Sequence, residues 1–444
     1  MGKQYYHIQL LLLRLGLMEL ILLLAKGLFT ILNFQSFPGL EIAELPKIFF
    51  SGMRFDVITL VYLNSIFILM HILPFPFRDR KGYQKALKII FLVINIPIIA
   101  IELTDIAYFP FNNKRMTSDI AGVATAGLHR AFFFFIDFWY LFLAFGILIY
   151  ILVRFYKKHH AEFRPIKYRI GIQILFFLLM GGLAFLGARG GTQNIPATPA
   201  MANDFTDVKY APLVLNSTYT VLYSSQRKSV SPPEYLPVQQ VAAFLQKGKT
   251  FNGGSNHPNI MLVLLESFAS EYIGFFNNGK GFTPFMDSLL QQSYVFTNAY
   301  ANAERSNKSM CVILGGLPSL TDDAFMNTIY SANCFEGIGS LLKENGYYTS
   351  FLHGGLNGEF KFDSFSHAAG FDHYYGKDEF NDNRYFDGNW GIYDHYFFEY
   401  AADVINKQPQ PFCSAIFSLS SHHPFNVPAD LKAKFPDGDQ QIHE

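Results

Sequence analysis

Residues 259–266 read Asn-Ile-Met-Leu-Val-Leu-Leu-Glu, six consecutive apolar side chains closed by a carboxylate. The run is far too short to cross a membrane. Bounded by His257-Pro258 on one side and Glu266-Ser267 on the other, it has the length and continuity of a strand fully buried in a parallel sheet. Residues 347–353 read as the next strand and 412–419 as another buried one. Between these runs lie helical signals: 283–292 with Thr283 as N-cap and Pro284 at the first helical position, 309–315, 336–346 ending at Gly346, and an amphipathic stretch over 390–406. Strands alternating with helices predict an α/β domain over 258–444, a mainly parallel sheet flanked by helices. Sheets of this kind bind ligands beyond the carboxyl ends of their strands, and Glu266 and His422 each follow such an end.

Upstream of residue 190 the chain changes character. Five apolar stretches, 8–32, 49–73, 88–109, 131–153 and 168–188, each approach the 20 or so residues that span a bilayer. They explain why only 16% of the 444 residues are charged, against about 25% in an ordinary soluble protein. The first stretch is too long for a signal peptide and lacks a small-residue cleavage site. Loop 74–87 carries Arg78, Arg80, Lys81 and Lys85, and loop 154–169 carries Arg154, Lys157, Lys158, Arg164, Lys167 and Arg169. Loops 33–48 and 110–130 are less basic. Basic loops stay in the cytoplasm, so the amino terminus lies inside and everything after residue 190 outside. Residues 191–257, with Gly190-Gly191, scattered prolines and Ser231-Pro232-Pro233, predict an extracytoplasmic juxtamembrane linker running along the surface.

Charges inside the spans are costly and mark either pairing or function. Lys26, Arg54, Asp56, Glu102, Asp105 and Asp137 all fall near the outer interface. One reading is mutual salt bridging; the other is a polar vestibule that receives a lipid head group. Glu19 lies deeper, where Arg14 or Lys26 is its expected partner. The zero net charge offers nothing to nucleic acid. Cys311, Cys334 and Cys413 are too few and scattered for a disulfide framework or zinc cluster and read as small buried hydrophobes. No internal repeat or symmetry of the spans suggests a transporter.

Three segments carry candidate chemistry. Glu266 is either a ligand for a hard divalent cation or a carboxylate at a helix start. Arg305-Ser306-Asn307-Lys308 sets a hydroxyl between two cations where a helix begins, which suits an anionic group, although an N-cap serine has the same signature. Ser420-Ser421-His422-His423-Pro424-Phe425 follows a strand; neighbouring side chains of extended backbone diverge, so one histidine, His422, is favoured for a phosphate or a metal.

Together these segments resemble the lipoteichoic acid synthase-like membrane sulfatase family of the alkaline phosphatase superfamily, which includes phosphoglycerol and phosphoethanolamine transferases. Leu264-Leu265-Glu266-Ser267 is similar to the first metal-ligand motif, Arg305–Lys308 followed by Gly315-Gly316-Leu317-Pro318 to the nucleophile segment, and Leu419–Phe425 to the substrate-histidine loop. The resemblance implies one divalent metal ion (Mn, Mg or Zn) bound by Glu266 and Ser306, with Ser306 as nucleophile and Ser309 as the alternative. It implies substrate binding by His422, Lys308, Arg305 and, more weakly, His353. The expected donor is a membrane phospholipid, the acceptor a glycan or polyol-phosphate, and the setting a bacterial plasma membrane with the catalytic domain on the periplasmic or extracytoplasmic side. Two departures stand out. The implied reaction is transfer of a phosphoglycerol-type head group through a phosphoserine intermediate; because Phe360-Lys361-Phe362 occupies the place of a Trp and an Arg that hold glycerophosphate, phosphoethanolamine transfer and phosphodiester hydrolysis stand beside it as alternatives. No Ser-Asp-His follows residue 423, so an Asp-His ligand pair is expected beyond Glu444 and a chain of this length is expected to be inactive. The soluble-type sulfatase motif is absent, and a non-catalytic scaffold in envelope assembly is the remaining alternative.

Overall fold

The computed structural model describes residues 6–75, 77–118, 136–158, 169–225, 240, 257–331, 333–423, 425–428 and 430–432. The start of the fourth expected span (131–135), Arg164 and Lys167 of the second basic loop, most of the expected linker and the tail from 433 lie outside them. The chain divides into two compact units, Met1–Ser229 with Asn327–Cys334, and Val230–Met326 with Phe335–Glu444.

The first unit is a bundle of apolar helices: α1 (Tyr6–Leu32), α2 (Leu45–Leu63), α3 (Ser65–Ile72), α4 (Lys81–Asn112), α5 (Trp139–Lys158) and α6 (Ile170–Arg189). Four of them are long and apolar enough to cross a membrane, and α2 with α3 makes a fifth span if the bent pair counts as one. This pair replaces the straight second helix expected from sequence; it bends by 70° at Asn64. The Asn64 and Asn95 side-chain amides exchange hydrogen bonds of 3.2 and 2.8 Å there, so the break is tied to α4. Helix α1 packs on α2 and α4, α2 on α6, and α4 on α5.

Residues 199–225 overturn the expectation of a surface connector. They fold into short helices, α7 (Ala211–Val214) and α8 (Ser217–Ser225), whose side chains from Leu213 to Thr220 are almost all buried within the bundle unit. Their polar groups meet the charges of the spans. Lys26 Nζ binds Asp56 Oδ2 at 2.8 Å, and Asn216 Nδ2 donates to Asp56 Oδ1 at 2.8 Å. Glu102 accepts from the backbone N–H of Ser217 (3.1 Å) and Thr218 (2.8 Å) and from the Thr218 hydroxyl (2.7 Å). Asp105 accepts from Arg115 at 2.9 Å and from the Ser217 hydroxyl at 2.7 Å. Buried carboxylates need such partners, because an unpaired charge in an apolar interior costs several kcal/mol. Lys26, Asp56, Glu102 and Asp105 are therefore buried with partners, whereas Asp137 is exposed. Glu19 does not pair with Arg14, which bonds His71 Nε2 at 3.0 Å, or with Lys26; its two carboxylate oxygens are buried without a hydrogen-bond partner.

The second unit holds a parallel sheet in the order β1-β4-β2-β3, with β1 Ile260–Leu264, β2 Tyr348–His353, β3 His373–Tyr375 and β4 Phe412–Phe417. Side chains alternate across β2 and β4. Phe351, Cys413 and Ala415 face a core with Met310 and Leu314 of α9 (Ser306–Gly315) and Phe365 of α10 (Phe362–Ala368). Leu352 and Ile416 face Phe397, Ala401 and Ile405 of α11 (Asp394–Asn406). Each large side chain so buried contributes about 1.5–3 kcal/mol. Strand β1 departs from the expected full burial: Met261 and Val263 are half exposed, because among the described residues only β4 flanks it and one face is uncovered. The helix expected over 390–406 begins only at Asp394, since the Asp387 carboxylate folds the preceding residues into a turn by accepting from the backbone of Asn389, Trp390 and Gly391.

Candidate active site

The sheet register sets Leu264, Phe417 and His353 in one row across β1, β4 and β2. The residues that follow this row converge on a cavity of about 370 Å³ at the carboxyl ends of the strands. Glu266 enters it two residues past β1. Its backbone N–H donates to Ser418 Oγ at 2.7 Å, and the next residue, Ser267, turns the chain away at φ +58°. The Glu266 carboxylate is buried. Ser306, the first residue of α9, donates from Oγ to Glu266 Oε2 at 2.5 Å, and His422 Nε2 lies 3.8 Å from the same oxygen. The first backbone N–H groups of a helix have no intrahelical partner, so the start of α9 favours an anion beside Ser306.

Of the residues singled out from sequence, Glu266, Arg305, Ser306, His353 and His422 line this cavity. Ser309 does not; its hydroxyl is turned back on the Arg305 carbonyl at 3.1 Å, an ordinary intrahelical bond. Lys308 does not either. Its ammonium is buried and bound at 2.6 Å to Oε1 of Glu304, which itself lines the cavity. His353 is the end of β2, with its ring stacked on Phe417 at 5.0 Å and Nδ1 3.1 Å from the Phe417 carbonyl. Burial pushes its pKa down to about 4, helped by His422 nearby, so it stays neutral and donates from Nδ1.

Sequence reasoning missed one wall of the cavity. Trp390 lies parallel to His422 (centroids 4.6 Å, 24°) and more loosely to Phe360 (6.3 Å, 21°). The backbone of Phe360 and Lys361 runs through two successive left-handed conformations, φ +49° and +61°, each costly for a residue with a Cβ. The available signal was the rarity of tryptophan: the chain has two, and Asn389-Trp390-Gly391 sits in a turn. Asn307 also lines the cavity, and its buried Oδ1 has no hydrogen-bond partner among the described residues.

The donor set suits a hard or borderline cation in part. A buried carboxylate and a hydroxyl oxygen 2.5 Å apart offer two oxygen ligands, with an imidazole next to them. Among the described residues no group of three His, Cys, Asp or Glu side chains converges on one point, so Glu266 and Ser306 supply part of a coordination sphere.

Comparison with known proteins gives this geometry its context. Residues 258–444 match the Sulfatase family model. The lipoteichoic acid synthase-like protein YvgJ of Bacillus subtilis is 29% identical over 203 residues, 45% of this chain and 31% of that protein. The lipoteichoic acid synthase of Staphylococcus saprophyticus is 28% identical over 213 residues, 44% of this chain and 32% of that one. The match therefore spans about a third of the length of these curated relatives. Among solved structures, an alkaline phosphatase superfamily protein of Vibrio parahaemolyticus aligns with a TM-score of 0.38 and 26% identity, covering 42% of this chain and 47% of that one.

Proposed function

We propose, from the premise that residues 258–444 are a sulfatase-family domain related to those of lipoteichoic acid synthases, that this membrane protein transfers a phosphate-linked head group from a phospholipid. The observation that carries the reading is the 2.5 Å contact between the Ser306 hydroxyl and the buried Glu266 carboxylate, inside a cavity at the carboxyl ends of parallel strands. Ser306 Oγ attacks the phosphorus of the donor diester. Glu266 Oε2 is the nearest acceptor for its proton. The phosphorus–oxygen bond to diacylglycerol breaks, and the lipid leaves with a proton from solvent. A hydroxyl of a glycan or polyol-phosphate acceptor, or water, then attacks the phosphorus and loses its proton to solvent, the phosphorus–Oγ bond breaks, and Ser306 Oγ recovers the proton from Glu266 as the phosphate-linked head group leaves on the acceptor. A single Mn, Mg or Zn ion held by Glu266 and Ser306 would add Lewis acidity to this step. His422, Arg305 and the first amides of α9 stabilise the equatorial oxygens. The basic loops of the bundle support a plasma-membrane location with this domain outside the cytoplasm.

A second reading concerns the head group. Phe360 and Phe362 line the cavity at the place where a Trp and an Arg hold glycerophosphate in the family this chain resembles, which supports phosphoethanolamine transfer as the alternative to phosphoglycerol transfer. The test incubates the purified protein with vesicles of head-group-labelled phosphatidylglycerol or phosphatidylethanolamine and follows diacylglycerol release and label on Ser306. Ser306→Ala is expected to abolish both with the fold intact. Wild-type release in that variant eliminates the nucleophile.

A further inference from the structure

The turn preceding α11 touches the His422 loop at both of its ends. At the near end the Asp394 carboxylate accepts from the Leu419 N–H (2.8 and 2.9 Å to its two oxygens) and from the Ser420 N–H (2.7 Å). The bond is returned, because the Asp394 N–H donates to Ser420 Oγ at 2.8 Å. At the far end Trp390 Nε1–H donates to the His423 carbonyl at 2.9 Å, and the indole lies on the His422 ring at 4.6 Å. The turn is itself held shut by the Asp387 carboxylate, which takes three backbone N–H groups of residues 389–391. Beyond the far clamp the Phe425 N–H donates to the His422 carbonyl at 2.7 Å.

A loop leaving a strand has many conformations, and each ordered residue loses about 1–2 kcal/mol of backbone entropy. His422 is half-exposed on its side chain, so packing alone does not fix its ring. What fixes it is the pair of clamps. We propose that Trp390 and Asp394 are positioning residues for His422, holding its imidazole parallel to the indole with Nε2 directed at the Glu266–Ser306 pair. The proposal rests on the reading of His422 as a phosphate-binding group. It adds Asp394 and Trp390 as residues whose effect on the reaction runs through that histidine, although Trp390 also lines the cavity.

Two measurements on the full chain in detergent micelles test it. In the first, hydrogen exchange is followed at the backbone of 418–425. Asp394→Ala and Trp390→Ala are each expected to accelerate exchange there at least tenfold while β1 and β2 amides keep their wild-type rates. Unchanged exchange at 418–425 overturns the proposal. Ser420→Ala, which removes only the returned bond, gives the same answer if Asp394→Ala does not fold. In the second, turnover of bis(p-nitrophenyl) phosphate is measured in single and double variants. Asp394→Ala and Trp390→Ala should lower kcat/KM on the order of 10²-fold, as a displaced catalytic group does. Trp390→Phe, which keeps a ring on the imidazole, should recover most of the loss. In a His422→Ala background the same substitutions should cost nothing further, because residues that act through one group are not additive with its removal. A full additional loss in that background assigns Trp390 and Asp394 a merely structural role and overturns the proposal. Wild-type turnover in His422→Ala alone sinks the phosphate-binding reading instead, and leaves the exchange result to decide whether the clamp exists.

Discussion

Replacing Lys26 and Asp56 singly and together measures whether this buried pair of the bundle is shielded from water. Lys26 Nζ and Asp56 Oδ2 are 2.8 Å apart with side chains 2% and 0% exposed. Lys26→Met leaves a carboxylate in that interior with Asn216 as its remaining donor, and breaking one side of a buried ion pair costs about 3–5 kcal/mol. Asp56→Leu strands the ammonium on the Val214 carbonyl, 3.3 Å away, and removes the acceptor of Asn216, for a similar or larger cost. The double variant removes both charges at once. Its cost reduces to the hydrogen bonds of Asn216 and Val214, about 1–3 kcal/mol for each group left unpaired. The singles should therefore sum to about 4 kcal/mol more than the double. Equilibrium unfolding of the purified protein in mixed dodecyl sulfate and maltoside micelles gives all three values. Single costs below about 1 kcal/mol that simply add would mean water reaches the pair, and the buried pairing would have to give way to an open polar chamber.

Other expectations follow from the catalytic unit. His353 is neutral in the fold down to about pH 4, whereas the unfolded chain takes up its proton near pH 6.5. The unfolded state thus binds more protons between those values, so stability is complete above pH 6.5 and falls by up to about 3 kcal/mol as pH drops to 4. Melting of the unit against pH should show this loss, and a His353→Gln variant with an equally steep profile would refute the assignment. At Gly370, φ +90°, an added Cβ would lie 2.0 Å from the Ser340 N, so Gly370→Ala should destabilise the unit by more than about 3 kcal/mol or prevent its folding in expression trials. Glu266→Gln should weaken Mn binding measured by calorimetry, with partial recovery at high metal; identical affinity in the two proteins removes Glu266 from the metal site.

The sheet was legible because β2 and β4 are short, largely buried segments between helical signals, although Thr349, Ser350 and Ser414 interrupt their apolar side chains. His373–Tyr375 was not, since three residues at a sheet edge carry no period. The spans announced themselves by length, but the bend at Asn64 did not, because neither proline nor glycine marks it. The approach of Ser306 to Glu266 followed from motif order. What the motif could not convey was orientation within α9: Lys308 and Ser309 lie one and two residues from positions that line the cavity, yet turn away around the helix. The segment 199–225 deceived for a different reason. Its polar residues look solvent-bound in a linear reading and are in truth complements to charges more than a hundred positions earlier.

That long separation has a consequence for how the bundle is made. Asp56, Glu102 and Asp105 leave the ribosome 160, 115 and 112 residues ahead of the Asn216 and Ser217 groups that satisfy them. All the spans are therefore synthesised before those groups can dock, and residues 211–220 complete the bundle. A nascent chain stalled before that delivery would leave the Glu102 carboxylate without its Ser217 and Thr218 donors, while Asp56 and Asp105 already have Lys26 and Arg115 beside them.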